Sequence, residues 1–393
     1  MSQIQTNANV QLDSFDHLLR ADSDIAAIVG RQYFVPAEGR DAVIFPPTYA
    51  PPEGREEGGG YNIDKLSDGH NVCLLDSVPS QANRIEPLFK TPPYKALVPQ
   101  IVVKVGSKQI NLLDAGHRTA DAVVRFSGLK DELRKAFQQI RDFGNAEPLA
   151  KIAPTSILHG VWDSRGTQVK LQRIVRSVIR AYDVETLHRS SQYIPPVRYV
   201  DEGIFQEPQS KAEKERLSQE GFLDSPATFQ LGGVLVKGDI RRDIALNLVA
   251  IRALAAGDGP DGSRTLTLRR YILGLALVAI TAPIDTNLRE GCLLVVDAER
   301  PSYFELVSYN GIRQKLELDH ATALAFAQHA ASAFGVDARL SLTRTMPRRC
   351  SHKQKRKPSG SVGSLLAPRR AHEQLLSLHL SNLSRSVLSW LGR

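Results

Sequence analysis

The stretch from Asp76 to Arg84, Asp-Ser-Val-Pro-Ser-Gln-Ala-Asn-Arg, concentrates side chains suited to phosphate and sugar oxygens. Ser77, Gln81, Asn83 and Arg84 bring hydroxyl, amide and guanidinium donors close together, and the apolar run Val72 to Leu75 leads into them. Ser77 reads as an N-cap, and Pro79 falls in the first turn, where a missing N–H costs nothing. Wound as a helix, Val78, Ala82, Ile85 and Phe89 share one face, while Ser77, Ser80, Gln81 and Arg84 line another. The residues alone leave two readings open. One is an anion-binding strip at a helix N-terminus; the other is the solvated face of an ordinary amphipathic helix.

Three further places gather positive charge. Gly116-His117-Arg118 falls between a strand and a helix, where backbone N–H groups and a cation can meet a phosphate; the alternative is a capping His117 and a solvated Arg118. Lys170, Arg173 and Arg176 are three apart and form a basic ridge if the segment is helical, with Arg180 and Arg189 extending the run. Trp162 stands just before them, placed either to stack a base or to pack in the core. Lys237, Arg241 and Arg242 flank Gly238-Asp239, a basic turn suited to positioning phosphates without reading bases. Catalysis finds less support. The ten histidines are scattered, no His-Glu-x-x-His or Gly-x-Ser-x-Gly motif occurs, and no Lys-Ser or Lys-Thr follows Gly58-Gly-Gly60 to make a P-loop. Cys73, Cys292 and Cys350 share no close spacing, which argues against a disulfide framework or a zinc site. We therefore expect no metal and no cofactor.

These residues need elements to position them. Leu97 to Val105 and Lys108 to Leu113 read as strands joined by a Gly106-Ser107 hairpin, and Thr119 to Phe143 reads as mostly helical. Ser156 to Trp162 and Ser177 to Val184 read as strands, with a helical turn at Lys170 to Arg176 between them. Leu231 to Lys237 reads as a strand, Asp243 to Ala255 as an apolar-faced helix, and Leu293 to Val296 and Tyr303 to Val307 as strands. Arg269 to Ile280 suits a strand or a buried helix equally, and His320 to Phe334 is helical. Residues 1 to 40 hold an amphipathic piece around Phe15 to Leu19 and little other pattern. Helices and strands alternate with hairpins mixed in, which predicts an α+β fold.

The formal net charge of +8 is unevenly shared. From Ser341 onward there are 11 Lys and Arg against one acidic residue, Glu373, leaving residues 1 to 340 at a net of −2. Any nucleic-acid surface on the body must then be a local groove rather than a global field. The N-terminus lacks the apolar core of a signal peptide, and Tyr271 to Pro283, the longest apolar run, is too short to span a bilayer. A soluble cytoplasmic protein is expected.

The Asp76–Arg84 string resembles the signature of the RAMP-superfamily backbone subunit of type I-G (formerly I-U) CRISPR Cascade surveillance complexes. Ile44-Phe-Pro-Pro-Thr-Tyr49, Gly116-His-Arg-Thr-Ala-Asp-Ala122, Gly160-Val-Trp-Asp-Ser164, Arg176 to Val184 and Gly232 to Asp239 match in family order, over roughly residues 40 to 335. The resemblance implies a ferredoxin-like (RRM-like) palm with finger and thumb insertions. With the polar, Pro-broken stretch at about 186–230 read as an insertion and the composition shift at 341 as the start of a basic Ser/Leu/Arg-rich tail (341–393), the chain divides into an N-terminal extension and loop at 1–70, the palm at 71–340 and that tail. The resemblance implies a non-catalytic subunit in antiviral defence that oligomerises as a helical filament along a CRISPR RNA and leaves the bases free to pair with target DNA. Expected partners are the CRISPR RNA, target DNA through guide pairing, further copies of the chain, and the guide-end-binding and large Cascade subunits, with no membrane involved. The expected guide contacts are Ser77, Gln81, Asn83, Arg84, His117, Arg118, Trp162, Arg173, Arg176, Lys237, Arg241 and Arg242. Two alternatives stand beside this: an endoribonuclease of the same superfamily using His117, His159 or His188 to process the guide precursor, and a protein-only scaffold. The tail departs from the family pattern. Lys353-Gln-Lys-Arg-Lys357 and the apolar stripe Leu376, Leu380, Leu383, Val387 and Leu391 receive no assigned role.

Overall fold

The run Ile25-Ala-Ala-Ile-Val opens a twelve-residue strand, β1 (Ile25–Pro36), that sits in the middle of an antiparallel sheet. The computed structural model describes residues 10–51, 60–336 and 341–345. After β1 come β2 (Asn71–Asp76), helix α1 (Val78–Ile85), helix α2 (Lys130–Phe143) and β3 (Val175–Tyr182). The chain continues through β4 (Val184–Tyr193), helix α3 (Lys211–Gln219), β5 (Ser225–Val236) and β6 (Ile240–Asn247). Helix α4 (Ser263–Thr281), strands β7 (Cys292–Val296) and β8 (Tyr303–Ser308), and helix α5 (His320–Phe334) follow, with shorter elements between them.

The four strands β8–β1–β6–β3 lie side by side in that order, each antiparallel to its neighbour. Helices join β1 to β3 and β6 to β8. That is the βαββαβ arrangement of ferredoxin-like folds, and the class is α+β as the alternation of elements predicts. Strand β2 extends the sheet beyond β3, and β7 pairs with the end of β1. Because side chains alternate across a strand, β6 turns Ile240, Arg242, Ile244 and Leu246 inward and Arg241, Asp243 and Ala245 outward.

The inner face of the sheet is sealed by helices. Ile28, Val175, Ile244 and Leu246 join a core cluster with Leu133 and Phe137 of α2, most of α4, and Phe326 and Phe334 of α5. Helix α4 is apolar all round from Tyr271 to Ile280 and every one of those residues is buried, as befits a helix wrapped by other elements. Gly274 lets it approach α5: a Cβ there would lie 2.8 Å from the Ala327 Cα. Tyr271 stacks on Phe334 with centroids 4.5 Å apart, and its hydroxyl donates to the Leu97 carbonyl at 2.9 Å.

Several expectations are corrected. Residues 25–36 carry the central strand, not a patternless lead-in. Ser156 to Trp162 is mostly a short helix, Pro154–Leu158, with a strand at Val161–Trp162; a short apolar run cannot separate the two by periodicity, and Pro at the start favours the helix. The expected helix at Asp243–Ala255 is instead the end of β6 plus one helical segment, Leu248–Arg252, which Asn247 caps by accepting from the Ala250 N–H. Arg269–Ile280 resolves to helix, the segment being too long for a typical buried strand.

Residues 186–230 form most of a long hairpin, paired from Val184↔Val236 to Tyr193↔Ser225, with α3 between its strands. Tyr199, Phe205 and Phe222 make an aromatic cluster there, with centroids 4.9 to 6.0 Å apart. Strand Ser341–Thr345 pairs in parallel with Gln100–Val105. The Gly58-Gly59 half of the glycine run, Cys350, Lys353–Lys357 and the C-terminal apolar stripe lie outside the described residues.

Candidate nucleic-acid interface

Helix α1 forms as its sequence dictates. The Ser77 hydroxyl caps it by accepting from the Ser80 N–H, Pro79 sits in the first turn, and Ala82 and Ile85 are buried, with Phe89 buried in the next turn. Its polar strip, however, divides in two. Gln81 is fully buried and donates to Asp76 Oδ2 at 2.5 Å while accepting from the Ser177 hydroxyl at 2.7 Å. Ser177 in turn accepts from Arg242 Nε at 2.7 Å, and Arg84 Nε donates to Asp76 Oδ2 at 3.1 Å. Asp76 and Arg242 are 4% and 1% exposed. Burial lowers the Arg242 pKa to about 10, opposed by the Asp76 charge. The result is a continuous internal chain, Arg242–Ser177–Gln81–Asp76–Arg84, that ties α1 to the inner face of the sheet.

The rest of the strip, Ser77, Ser80 and Arg84, lines a cavity of about 490 Å³ with Tyr49, Leu288 and Arg289. Arg84 lines this cavity already engaged at every nitrogen: beside Nε on Asp76, Nη1 donates to the Asn287 carbonyl at 3.3 Å and Nη2 to the Leu288 carbonyl at 2.6 Å. Asn83 is exposed beside it.

The outer face of the sheet carries a different set. Register places Arg241 between Tyr33 on β1 and Arg180 on β3, and Asp243 between Arg31 and Val178. Arg241 sits over Tyr182, its guanidinium carbon 4.0 Å from the ring centroid, and donates to its hydroxyl at 2.9 Å. Arg300 covers Tyr33 at 3.7 Å. Asp243 accepts from both Arg31 (3.1 Å) and Arg241 (3.2 Å), so one carboxylate orients two guanidiniums. Arg176 is exposed and Arg180 half-buried, and neither has an ion-pair partner among the described residues. Planar cations and tyrosines on an open antiparallel sheet are what base stacking and phosphate contact require.

The third group clusters around Arg118, which adopts a left-handed backbone (φ 53°) and is 5% exposed. Its Nε lies 2.9 Å from Glu86 Oε2. Buried His159 and half-buried Arg173 complete the group; both His159 ring nitrogens, Arg118 Nη2 and Arg173 Nη1 lack hydrogen-bond partners among the described residues. Burial pushes Glu86 up to about 7 against the pull of Arg118. Burial, then the charges of Arg118 and Arg173, hold His159 far below its ordinary pKa. His159 is thus a neutral, enclosed imidazole, whereas His117 and His188 are exposed.

Of the residues singled out from sequence, Arg176 and Arg241 meet on the outer face, and Ser77 and Arg84 meet at the α1 cavity. Lys237 is exposed at the base of the hairpin, 3.7 Å from Glu185. Gln81, Arg118 and Arg242 are corrected from exposed donors to buried ones, because the Asp76 and Glu86 carboxylates need partners inside. The basic ridge of Lys170, Arg173 and Arg176 does not form. The segment is extended, Lys170 pairs across a two-stranded ladder with Trp162, Arg173 turns inward, and Arg176 faces out. Trp162 is 56% exposed with Lys170 Nζ 5.6 Å from its ring centroid, so the core-packing alternative fails. Sequence reading missed Arg31, Tyr33, Tyr182 and Arg300; period-two alternation in Val175–Tyr182, which sets Arg176, Arg180 and Tyr182 on one side, was the available signal for part of this face.

Among the described residues no group of three or more His, Cys, Asp or Glu could hold a metal ion, and no helix is long and apolar enough to cross a membrane. No curated protein matches the chain. Residues 28–186, from β1 into the start of β4, match the family model described as CRISPR-associated protein GSU0053, so this part of the palm-like fold is similar to a CRISPR-associated family.

Proposed function

We propose that the chain is a non-catalytic, CRISPR RNA-binding backbone subunit of a type I-G Cascade, oligomerising along the guide and supporting its pairing with target DNA. The observation that carries this is the outer face of the sheet, where Arg31, Arg176, Arg180 and Arg241 surround Tyr33 and Tyr182 on an RRM-like framework. The cations grip sugar–phosphate, and the guanidiniums held over Tyr182 and Tyr33 offer bases a stacking surface without reading them. Sequence recognition then passes to guide–target pairing. The similarity of residues 28–186 to a CRISPR-associated family supports the same reading. The copies, the neighbouring guide-end-binding and large subunits, and the cytoplasmic setting belong to this proposal.

The test expresses the chain with a CRISPR array, extracts the co-purifying nucleic acid, and measures binding to several unrelated RNAs over a salt series. Guide-length RNA is expected. Arg176→Ala with Arg180→Ala should weaken all sequences about equally and reduce the salt slope by about 0.7 per lost phosphate contact. A protein free of RNA, or a loss confined to some sequences, overturns the proposal. Metal-independent cleavage abolished by changing one histidine would favour the endoribonuclease instead.

A further inference from the structure

A second cationic site shares no residue with the outer face or the α1 cavity. Between α2, the turn ending at Phe126 and the Asp163–Thr167 loop lies a cavity of about 250 Å³. Its floor is apolar, made by Leu133 and Phe137, and the 37%-exposed ring of Phe126 stands at its edge. Its rim carries Arg125, Lys130, Arg134 and Arg165. Lys130, Arg134 and Arg165 have no ion-pair partner among the described residues, and Arg125 leans over Phe126 with its guanidinium carbon 5.5 Å from the ring centroid. The one carboxylate in the lining, Asp163, is buried and already engaged: Oδ2 accepts from the Thr167 N–H at 2.7 Å and its hydroxyl at 2.9 Å. That clamp fixes the loop that carries Arg165. A Cβ at Gly166 would lie 2.3 Å from Asp163 Oδ2, so the loop closes tightly on the carboxylate.

Four cations against the single carboxylate of Asp163, which is buried and turned toward Thr167, leave this aromatic-edged hollow with a net positive lining and define a particular complement. It must be anionic at the rim and flat and apolar at the floor. We propose that this cavity takes one nucleotide unit, its base against Phe126 and the apolar floor and its phosphate among Arg125, Lys130, Arg134 and Arg165. The volume lies just under the roughly 300–1,000 Å³ of drug-sized pockets, the scale of a single nucleotide. An acidic peptide would satisfy the rim and leave the aromatic edge unused. Trp162, immediately before Asp163 and paired with Lys170, offers a second stacking surface at the loop entrance. The unit comes either from a strand or from a free nucleotide, since both present the same chemistry.

The test is calorimetric titration of the full chain with uridine 5′-monophosphate, a uridine pentanucleotide, inorganic phosphate and pentaglutamate. Arg134→Gln with Arg165→Gln removes two exposed rim cations, and Phe126→Ala removes the ring; circular dichroism checks that both fold. The expected result is nucleotide binding weakened about tenfold or more by the rim variant. Phe126→Ala should weaken the nucleotide while leaving inorganic phosphate unchanged. A pentanucleotide that binds much more tightly than the monophosphate identifies a strand as the source, and equal affinities identify the free nucleotide. Binding unaffected by the rim variant, inorganic phosphate as tight as nucleotide, or preference for pentaglutamate overturns the assignment. The Arg176→Ala, Arg180→Ala protein should retain uridine monophosphate binding, so failure of the outer-face reading and failure of this one are told apart.

Discussion

Replacing Asp76 by Asn keeps the shape of the side chain and removes its charge from the centre of a buried network. The carboxylate is 4% exposed and accepts from Gln81 and Arg84, while Arg242, 1% exposed, depends on it for charge compensation through Ser177 and Gln81. Arg242 Nη2 already lacks a hydrogen-bond partner among the described residues, so it has little local relief. Breaking a buried ion pair by removing one partner costs about 3–5 kcal/mol. Arg84 reaches solvent and contributes the smaller share, so the expected loss is about 3–4 kcal/mol, toward the lower end of that range. Set against a typical total of about 5–15 kcal/mol, that is a large fraction. Urea unfolding monitored by circular dichroism should show a lower midpoint at unchanged slope. Adding Arg242→Met, which fills the volume without charge, should recover much of the loss, because a neutral buried pair leaves no orphan. A single-variant loss under about 1 kcal/mol, far below the cost of an orphaned buried charge, or a double variant no better than the single, would refute the claim that this network holds α1 to the sheet.

Glu86 gives a pH dependence of definite sign. Its folded-state pKa, raised by burial from 4.5 to about 7, favours the protonated form in the fold. Its contribution to stability is therefore full below about pH 4.5 and lost as pH rises through 7, a swing of about 3 kcal/mol that Glu86→Gln should flatten in urea midpoints taken between about pH 5 and 8. Trp162→Ala removes an exposed ring and should change stability by under about 0.5 kcal/mol, while weakening single-stranded RNA binding by about 1–3 kcal/mol. A large loss of stability with unchanged RNA affinity would make Trp162 a packing residue after all.

The sequence by itself determined the local elements whose signals are carried by near neighbours. Ser77 and Pro79 start α1, Asp319 and Gly335 bracket α5, and Leu133, Ala136 and Phe137 set the buried stripe of α2. It also determined the class, since helices and strands alternate along the chain. The βαββαβ strand order, by contrast, arises from pairings such as Arg241 with Tyr33 and Arg180, partners far apart in sequence.

Tertiary structure alone decided which polar groups face water. Gln81 and Ser80 sit side by side on one helix, yet Gln81 is buried because Asp76 from β2 and Ser177 from β3 converge on it. Arg241 and Arg242 are adjacent, and strand alternation sends one onto Tyr182 at the outer face and the other into the interior. Some carboxylate partners are near in sequence, as Asp76 is to Arg84 and Asp243 to Arg241, but the groups that hold Arg242 and Arg31 arrive by chain crossings, and no local window of sequence contains those.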